Sequence, residues 1–306
     1  MIEAAELKQK NVLITGASGL VGKALCKNLG LSGYTVFKLE RNSRAAPFHY
    51  IEAENRVVLD ATIPLYAVIN LAGPNLSDRR WTRVRKNYIL NSRVKLTNAL
   101  SKALANSSTT PKIYLSASAI GFYGLTGSNS ADESSPPGDD FLANVCKQWE
   151  AATSSAEQAG INTVHLRLGV ILSRHGGMLQ KLLLPFKLGL GGKVGNGCQY
   201  LSWISIFDVI DVILYLLEKR PHITALNVVA DQNVTNHQFS KELGKALRKP
   251  CMIPLPSIIV KLIFGEMGDA LLLGSTRVKS SKLKDLGISL RYPVLASALR
   301  KVLDEN

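Results

Sequence analysis

Eight residues, Thr15-Gly16-Ala17-Ser18-Gly19-Leu20-Val21-Gly22, constrain the fold of this chain more than any others. They follow the apolar run Asn11-Val12-Leu13-Ile14 and lead into the helix-like Lys23-Ala24-Leu25-Cys26-Lys27-Asn28-Leu29. A strand, a glycine turn and a helix in that order open a parallel α/β unit whose turn can receive a dinucleotide. Each glycine answers a separate need. Gly16 permits the tight turn, Gly19 lets backbone approach a pyrophosphate, and Gly22 lets helix and strand pack closely. The helix N-terminus adds free N–H groups and a partial positive charge.

The rest of the chain continues the alternation. Tyr34–Leu39, Val57–Leu59, Ala67–Ala72, Lys112–Ser116 and Thr163–Leu168 read as strands two to six, with Leu226–Val229 as a late return strand. Helices are expected over about Thr82–Ala105 and Val145–Ala159. Near-continuous apolar strands suit a parallel sheet buried on both faces, and the alternation gives a doubly wound α/β sheet. Residues 10–172 form the expected dinucleotide-binding domain, with a return segment near 203–231. Residues 173–202 and 232–306, rich in glycine punctuation and proline loops, form a smaller C-terminal substrate domain.

With 306 residues and 46% hydrophobic content, the chain can bury a large core. No apolar run approaches the roughly 20 residues of a membrane span. Met1–Leu7 is too acidic and too weakly apolar for a secretory leader, so a cytoplasmic protein with no membrane association is expected. The four cysteines and five histidines are dispersed without metal-ligand spacing, so no metal site is expected. A net charge of +14 raises nucleic-acid binding. The densest basic cluster, Arg79–Lys86, also suits a solvated helix face or an anionic small ligand. No nucleic-acid module accompanies it, and nucleic acid is not an expected partner.

The end of the second strand selects the cofactor. An acidic side chain there accepts bonds from the adenosine ribose of NAD, whereas an arginine accommodates the 2′-phosphate of NADP. This chain places Glu40 directly before Arg41. NADP(H) is favoured and NAD(H) stays open.

Several motifs together resemble the extended short-chain dehydrogenase/reductase family, whose core is the Rossmann sheet. They are Thr15-Gly16-x-x-Gly19-x-x-Gly22, Asn70-Leu71-Ala72-Gly73, and Ser116-Ala117-Ser118. Asn91-Ser92-Arg93, Gly121-Phe122-Tyr123-Gly124 and the block from Leu184-Pro185-Phe186 to Trp203-Ile204 are similar to an epimerase-type subgroup with its own C-terminal domain. The resemblance implies Gly16, Ser18, Gly19, Leu20 and Val21 around the pyrophosphate, and Leu71, Ala72 and Gly73 near the adenosine. It further implies Tyr88, Asn91 and Arg93 reaching the cofactor from one helix, and Leu168 and Gly169 at the nicotinamide. The resemblance also implies a small-molecule substrate, with sugar-nucleotide-like compounds among the candidates, and a homodimer through long sheet-flanking helices; the residues alone leave oligomeric state open.

The family's chemistry uses a serine, a tyrosine and a lysine four residues later. Here Leu142 and Cys146 stand where tyrosine and lysine belong. Ser118, Tyr123 and Lys147 are the expected substitutes, although Tyr123 could equally wall the pocket and Lys147 is rotated about 100° from the family position. Arg167 could bind a substrate anion or a structural carboxylate. A cofactor-binding sensor or regulator with little catalysis is the alternative to an oxidoreductase or epimerase.

Overall fold

The computed structural model describes residues 10–304, so Met1–Leu7 lies outside the described residues. Six strands form the central sheet: β1 (Asn11–Thr15), β2 (Thr35–Lys38), β3 (Ala67–Asn70), β4 (Ile113–Ala119), β5 (Thr163–Leu168) and β6 (Ala225–Val228). Their order is β2-β1-β3-β4-β5-β6, and every pairing is parallel. The strand order reverses beside β1, which opens a crevice beyond the carboxyl ends of β1 and β3.

Side-chain alternation explains why both faces are covered. Val12, Ile14, Ala67, Ile69, Ile113 and Leu115 pack on one side with α1 (Leu20–Leu31) and α6 (Ile206–Lys219). Leu13, Val68 and Tyr114 point the other way, onto Leu96, Leu100 and Leu104 of α2 (Arg83–Ala105). The doubly wound parallel α/β architecture expected from the apolar runs is therefore present.

Three local expectations need correction. Val57–Leu59 is no strand of the main sheet. It belongs to Arg56–Leu59, which pairs antiparallel with Phe48–Ile51, and Glu40–Arg41 adds to that small sheet in parallel. The helix expected from Val145 starts earlier as α3 (Phe141–Ala151), because the Asp140 carboxylate accepts the Ala143 N–H at 2.8 Å. It then breaks before α4 (Ser154–Gln158), where Thr153 Oγ1 donates back to the Glu150 carbonyl at 2.6 Å.

The C-terminal region makes its own core from α5 (Gly177–Lys187), α7 (Asn236–Leu247) and the helix Leu295–Leu303, with Trp203, Phe239 and Leu299 buried among them. It also returns to the sheet. Arg277–Val278 pairs with Ser130–Ala131, and Leu283 is buried in the sheet core. Residues 264–271 pack on Trp81, Ile89 and Val145, which brings this segment over α2 and α3. Among the described residues no helix is long and apolar enough to cross a membrane.

Candidate cofactor cleft and catalytic chamber

The glycine turn leaves no room for side chains. Gly16 has φ of +68°, and a Cβ there would stand 2.7 Å from the Leu71 carbonyl oxygen. A Cβ on Gly22 would stand 2.3 Å from the Gly16 oxygen. Thr15 Oγ1 donates to Asn70 Oδ1 at 2.6 Å and accepts the Ala72 N–H at 3.2 Å, which locks the ends of β1 and β3 together. The α1 N-cap is Gly19, which has no capping side chain, and the first intrahelical bond runs from Lys23 N to Gly19 O. The N–H groups of the first turn therefore have no helical acceptor and face the crevice end of the helix.

A cleft of about 570 Å³ lies at this point. Of the residues expected at the cofactor, Gly16, Ser18, Gly19, Glu40, Arg41, Leu71, Ala72, Gly73 and Tyr88 line it, joined by Lys38, Tyr50 and Pro74. Lys38 was missed because a lysine closing a strand carries no motif. Leu20 and Val21 do not line the cleft with side chains. Val21 packs into the sheet core, and Leu20 lies against Gly176.

A second cavity, about 240 Å³, lies beyond the ends of β4 and β5. Leu168 and Gly169 line it, as expected for the nicotinamide end, and so does Arg93. Asn91 does not: it is exposed and borders neither cavity. It lies two steps along the helix from Arg93, a rotation of about 200°, so the expectation that both reach the same ligand fails on helix geometry. Ala270, Leu271 and Gly274 roof the cavity, with Leu142, Cys146 and Trp149 of α3 on its wall. Burial pushes the Cys146 thiol up to about 12, so it is a neutral wall group.

The expected catalytic trio does not meet here. Ser118 Oγ donates to Glu150 Oε1 at 2.6 Å. Arg167 grips the same carboxylate in two bonds of 2.9 Å, from Nε and Nη2. Its Nη1 donates to the Tyr123 hydroxyl at 2.9 Å, and that hydroxyl donates to Asn227 Oδ1 at 2.7 Å. Both hydroxyls are thus absorbed by a buried ion pair, and neither lines either cavity. Burial raises the Tyr123 phenol and the Arg167 charge only partly offsets this, so the group is a poorer acid. Lys147 is exposed and also borders neither cavity, because Cys146, one step away on the helix, takes the inward position. Of the two roles open to Arg167, the structural carboxylate is the one observed.

The basic cluster is partly engaged as well. Lys86 pairs with Glu266 at 2.7 Å and Arg85 donates to the Asn75 carbonyl at 2.6 Å, ties that hold α2 to its neighbours. Among the described residues no group of three or more His, Cys, Asp or Glu side chains could hold a metal ion.

With this geometry in place, comparison with known proteins is decisive. Residues 12–228 match the NAD dependent epimerase/dehydratase family. The chain belongs to that family. Residues 255–302 match a further domain of unknown function, DUF1731, so the expected pairing of an epimerase-type sheet with a separate C-terminal family holds. The chain is 35% identical over 290 residues to the epimerase family protein Mb2239 of Mycobacterium bovis, covering 94% of this chain and 96% of that one. It is 33% identical over 297 residues to the Homo sapiens epimerase family protein SDR39U1, covering 95% and 99%. A crystal structure of the human protein with NADPH matches at a TM-score of 0.85 and 32% identity, over 97% of this chain and 100% of that chain. The fold is shared with UDP-glucuronic acid 4-epimerase from Bacillus cereus in complex with NAD, at a TM-score of 0.72 and 17% identity over 96% of each chain.

Proposed function

We propose that this protein is an NADP(H)-dependent oxidoreductase or epimerase acting on a small molecule. The adenosine and pyrophosphate would occupy the cleft beside Gly16, Gly19 and Gly73, with the nicotinamide beside Leu168 and Gly169. The observation that carries the cofactor choice is the pair of cations, Lys38 and Arg41, on the cleft wall beside Glu40. Two cations suit a 2′-phosphate, and the human relative's structure with NADPH supports the same choice. Fluorescence titration with NADPH and NADH tests it. NADPH is expected to bind more tightly, and Arg41→Ala to weaken NADPH about tenfold, or 1.4 kcal/mol, while sparing NADH. NADH binding as tightly as NADPH overturns the choice.

NADPH supplies a hydride when bound, so the chain must supply a proton to the reacting oxygen. Tyr200 is the one tyrosine lining the chamber, and its hydroxyl has no hydrogen-bond partner among the described residues. The Arg277 guanidinium lies 4.7 Å from its ring centre. These features support Tyr200 as the proton donor in place of Tyr123. Turnover of a carbonyl panel should fall at least about a hundredfold in Tyr200→Phe, the usual scale of general acid catalysis. Equal activity in that variant removes Tyr200 from the chemistry.

One observation favours a second reading, a cofactor-binding sensor or regulator without turnover: Ser118 and Tyr123 are both committed to the Glu150–Arg167 pair. Cofactor retained through native mass spectrometry, with no turnover by wild type on any carbonyl, would support it.

A further inference from the structure

Fourteen large apolar side chains are exposed among the described residues, and nine of them fall within 184–190 and 252–263. Single exposed apolar residues are ordinary, but nine gathered on one face are not. Backbone pairing brings the two stretches together. The Ile253 N–H donates to the Gly191 carbonyl at 3.1 Å, and the Leu255 N–H to the Lys193 carbonyl at 2.9 Å. The segment carrying Leu188 and Leu190 therefore runs beside Ile253 and Met252, the latter 82% exposed.

Helix α8 (Ser257–Phe264) extends this face. Val260 and Phe264 close its inner side so tightly on Gly268 that a Cβ there would stand 2.8 Å from either. That leaves Ile258, Ile259, Leu262 and Ile263 outside, two pairs each one helical turn apart, with Ile258 74% and Leu262 77% exposed.

The charge around this face has one sign. Residues 181–200 and 243–265 carry seven lysines and arginines and no acidic residue. Next to Met252, the side chains of His237, Lys241, Lys245, Arg248 and Lys249 surround a hollow of about 440 Å³. Glu242, the one acid of α7, is taken by Lys245 at 2.7 Å, and Asp269 is taken by Lys261 of α8 at 3.6 Å. A partner must therefore offer negative charge and an apolar interior together. A second copy of this chain would bring the same cations face to face. None of the nine exposed residues is Trp, Tyr or Phe, the ring anchors that protein–protein interfaces favour. Aliphatic side chains under a basic rim match a bilayer instead, with phosphates at its surface and acyl chains below.

We propose that this face of the C-terminal region docks on the surface of a bilayer containing anionic lipids. Ile258 and Leu262 of α8, with Met252 and Ile253, enter the acyl boundary, while Lys241, Arg248 and Lys249 meet headgroup phosphates. The expectation of no membrane association rests on the lack of a spanning run, which surface binding does not need.

The test is flotation of the full chain with vesicles of phosphatidylcholine, alone or with about 30% phosphatidylglycerol. Anionic vesicles should bind the protein at least about tenfold more tightly than neutral ones, and about 0.5 M salt should remove most of that gain. Ile258→Ser with Leu262→Ser should weaken binding to anionic vesicles at least about tenfold, as should Lys241→Glu with Lys249→Glu. All four positions are exposed, so melting temperatures should match wild type. Leu262→Trp fluorescence should be quenched by acyl-brominated lipid, which reads insertion directly. Failure to float with anionic vesicles overturns the proposal. So does binding that the serine variant leaves unchanged, since charge alone then carries it. Dimerisation in sedimentation that the serine variant breaks, without vesicle binding, assigns the face to a second copy and overturns it as well.

Discussion

The Glu150–Arg167 pair shows how single residues redirect a family pattern. Glu150 and Arg167 side chains are 11% and 8% exposed, and the carboxylate also takes the Ser118 hydroxyl. Breaking such a pair on one side typically costs about 3–5 kcal/mol. Glu150→Gln, which keeps one acceptor, should lose about 3 kcal/mol by urea denaturation, whereas the exposed Lys147→Ala should stay within about 0.5 kcal/mol. At Gly22 the constraint is steric, and Gly22→Ala should cost about 1–3 kcal/mol of stability as the Gly16 turn is forced outward. The glycine turn was legible in the sequence because each glycine's reason is local. The fate of Ser118 and Tyr123 was not, because it depends on Arg167 and Asn227, which approach only once β5 and β6 pair.

At the level of elements, Glu133 clasps three segments. Its carboxylate accepts from the Asn227 N–H of β6, the Ser280 hydroxyl and both Ser281 groups at 2.7–3.0 Å. Burial pushes the Glu133 carboxyl up, but these hydrogen bonds outweigh it and the net shift is below the ordinary 4.5. A depressed carboxyl stabilises the fold fully above its unfolded value and loses that contribution as pH falls through the folded value. Wild type should therefore lose stability relative to Glu133→Gln below about pH 4.5, where thermal melts of the two should converge. Parallel melts across that range would remove Glu133 from the acid response. Elements were legible in proportion to how local their signals are. Thr163–Leu168 is an apolar run closed by a glycine and is the strand observed, residue for residue. The hairpin Phe48–Leu59 was half missed because its buried residues, Phe48, Tyr50 and Val57, face the α2 side of the core rather than following a sheet-strand run.

For the whole molecule, the C-terminal region is woven into the sheet rather than appended. Leu283 is buried in the sheet core, and Leu290 packs against both that core and the C-terminal one. Calorimetry should give one cooperative transition, and a chain ending at residue 228 should expose the sheet core and bind a hydrophobic dye. Two resolved transitions would contradict this continuity. The net charge of +14 should steer anionic ligands to the cleft, so NADPH association should slow as salt rises from 0.02 to about 0.5 M.

The contact between Gly73 and Arg93 carries one more consequence. A Cβ on Gly73 would meet the Arg93 guanidinium at 3.0 Å, so a single stretch of backbone partitions the two cavities. Whatever free energy one ligand spends in shifting that partition must reappear, with the same sign and size, in the affinity of the other. The two occupants would then be thermodynamically linked neighbours, their order of loading readable from how strongly each tightens the other.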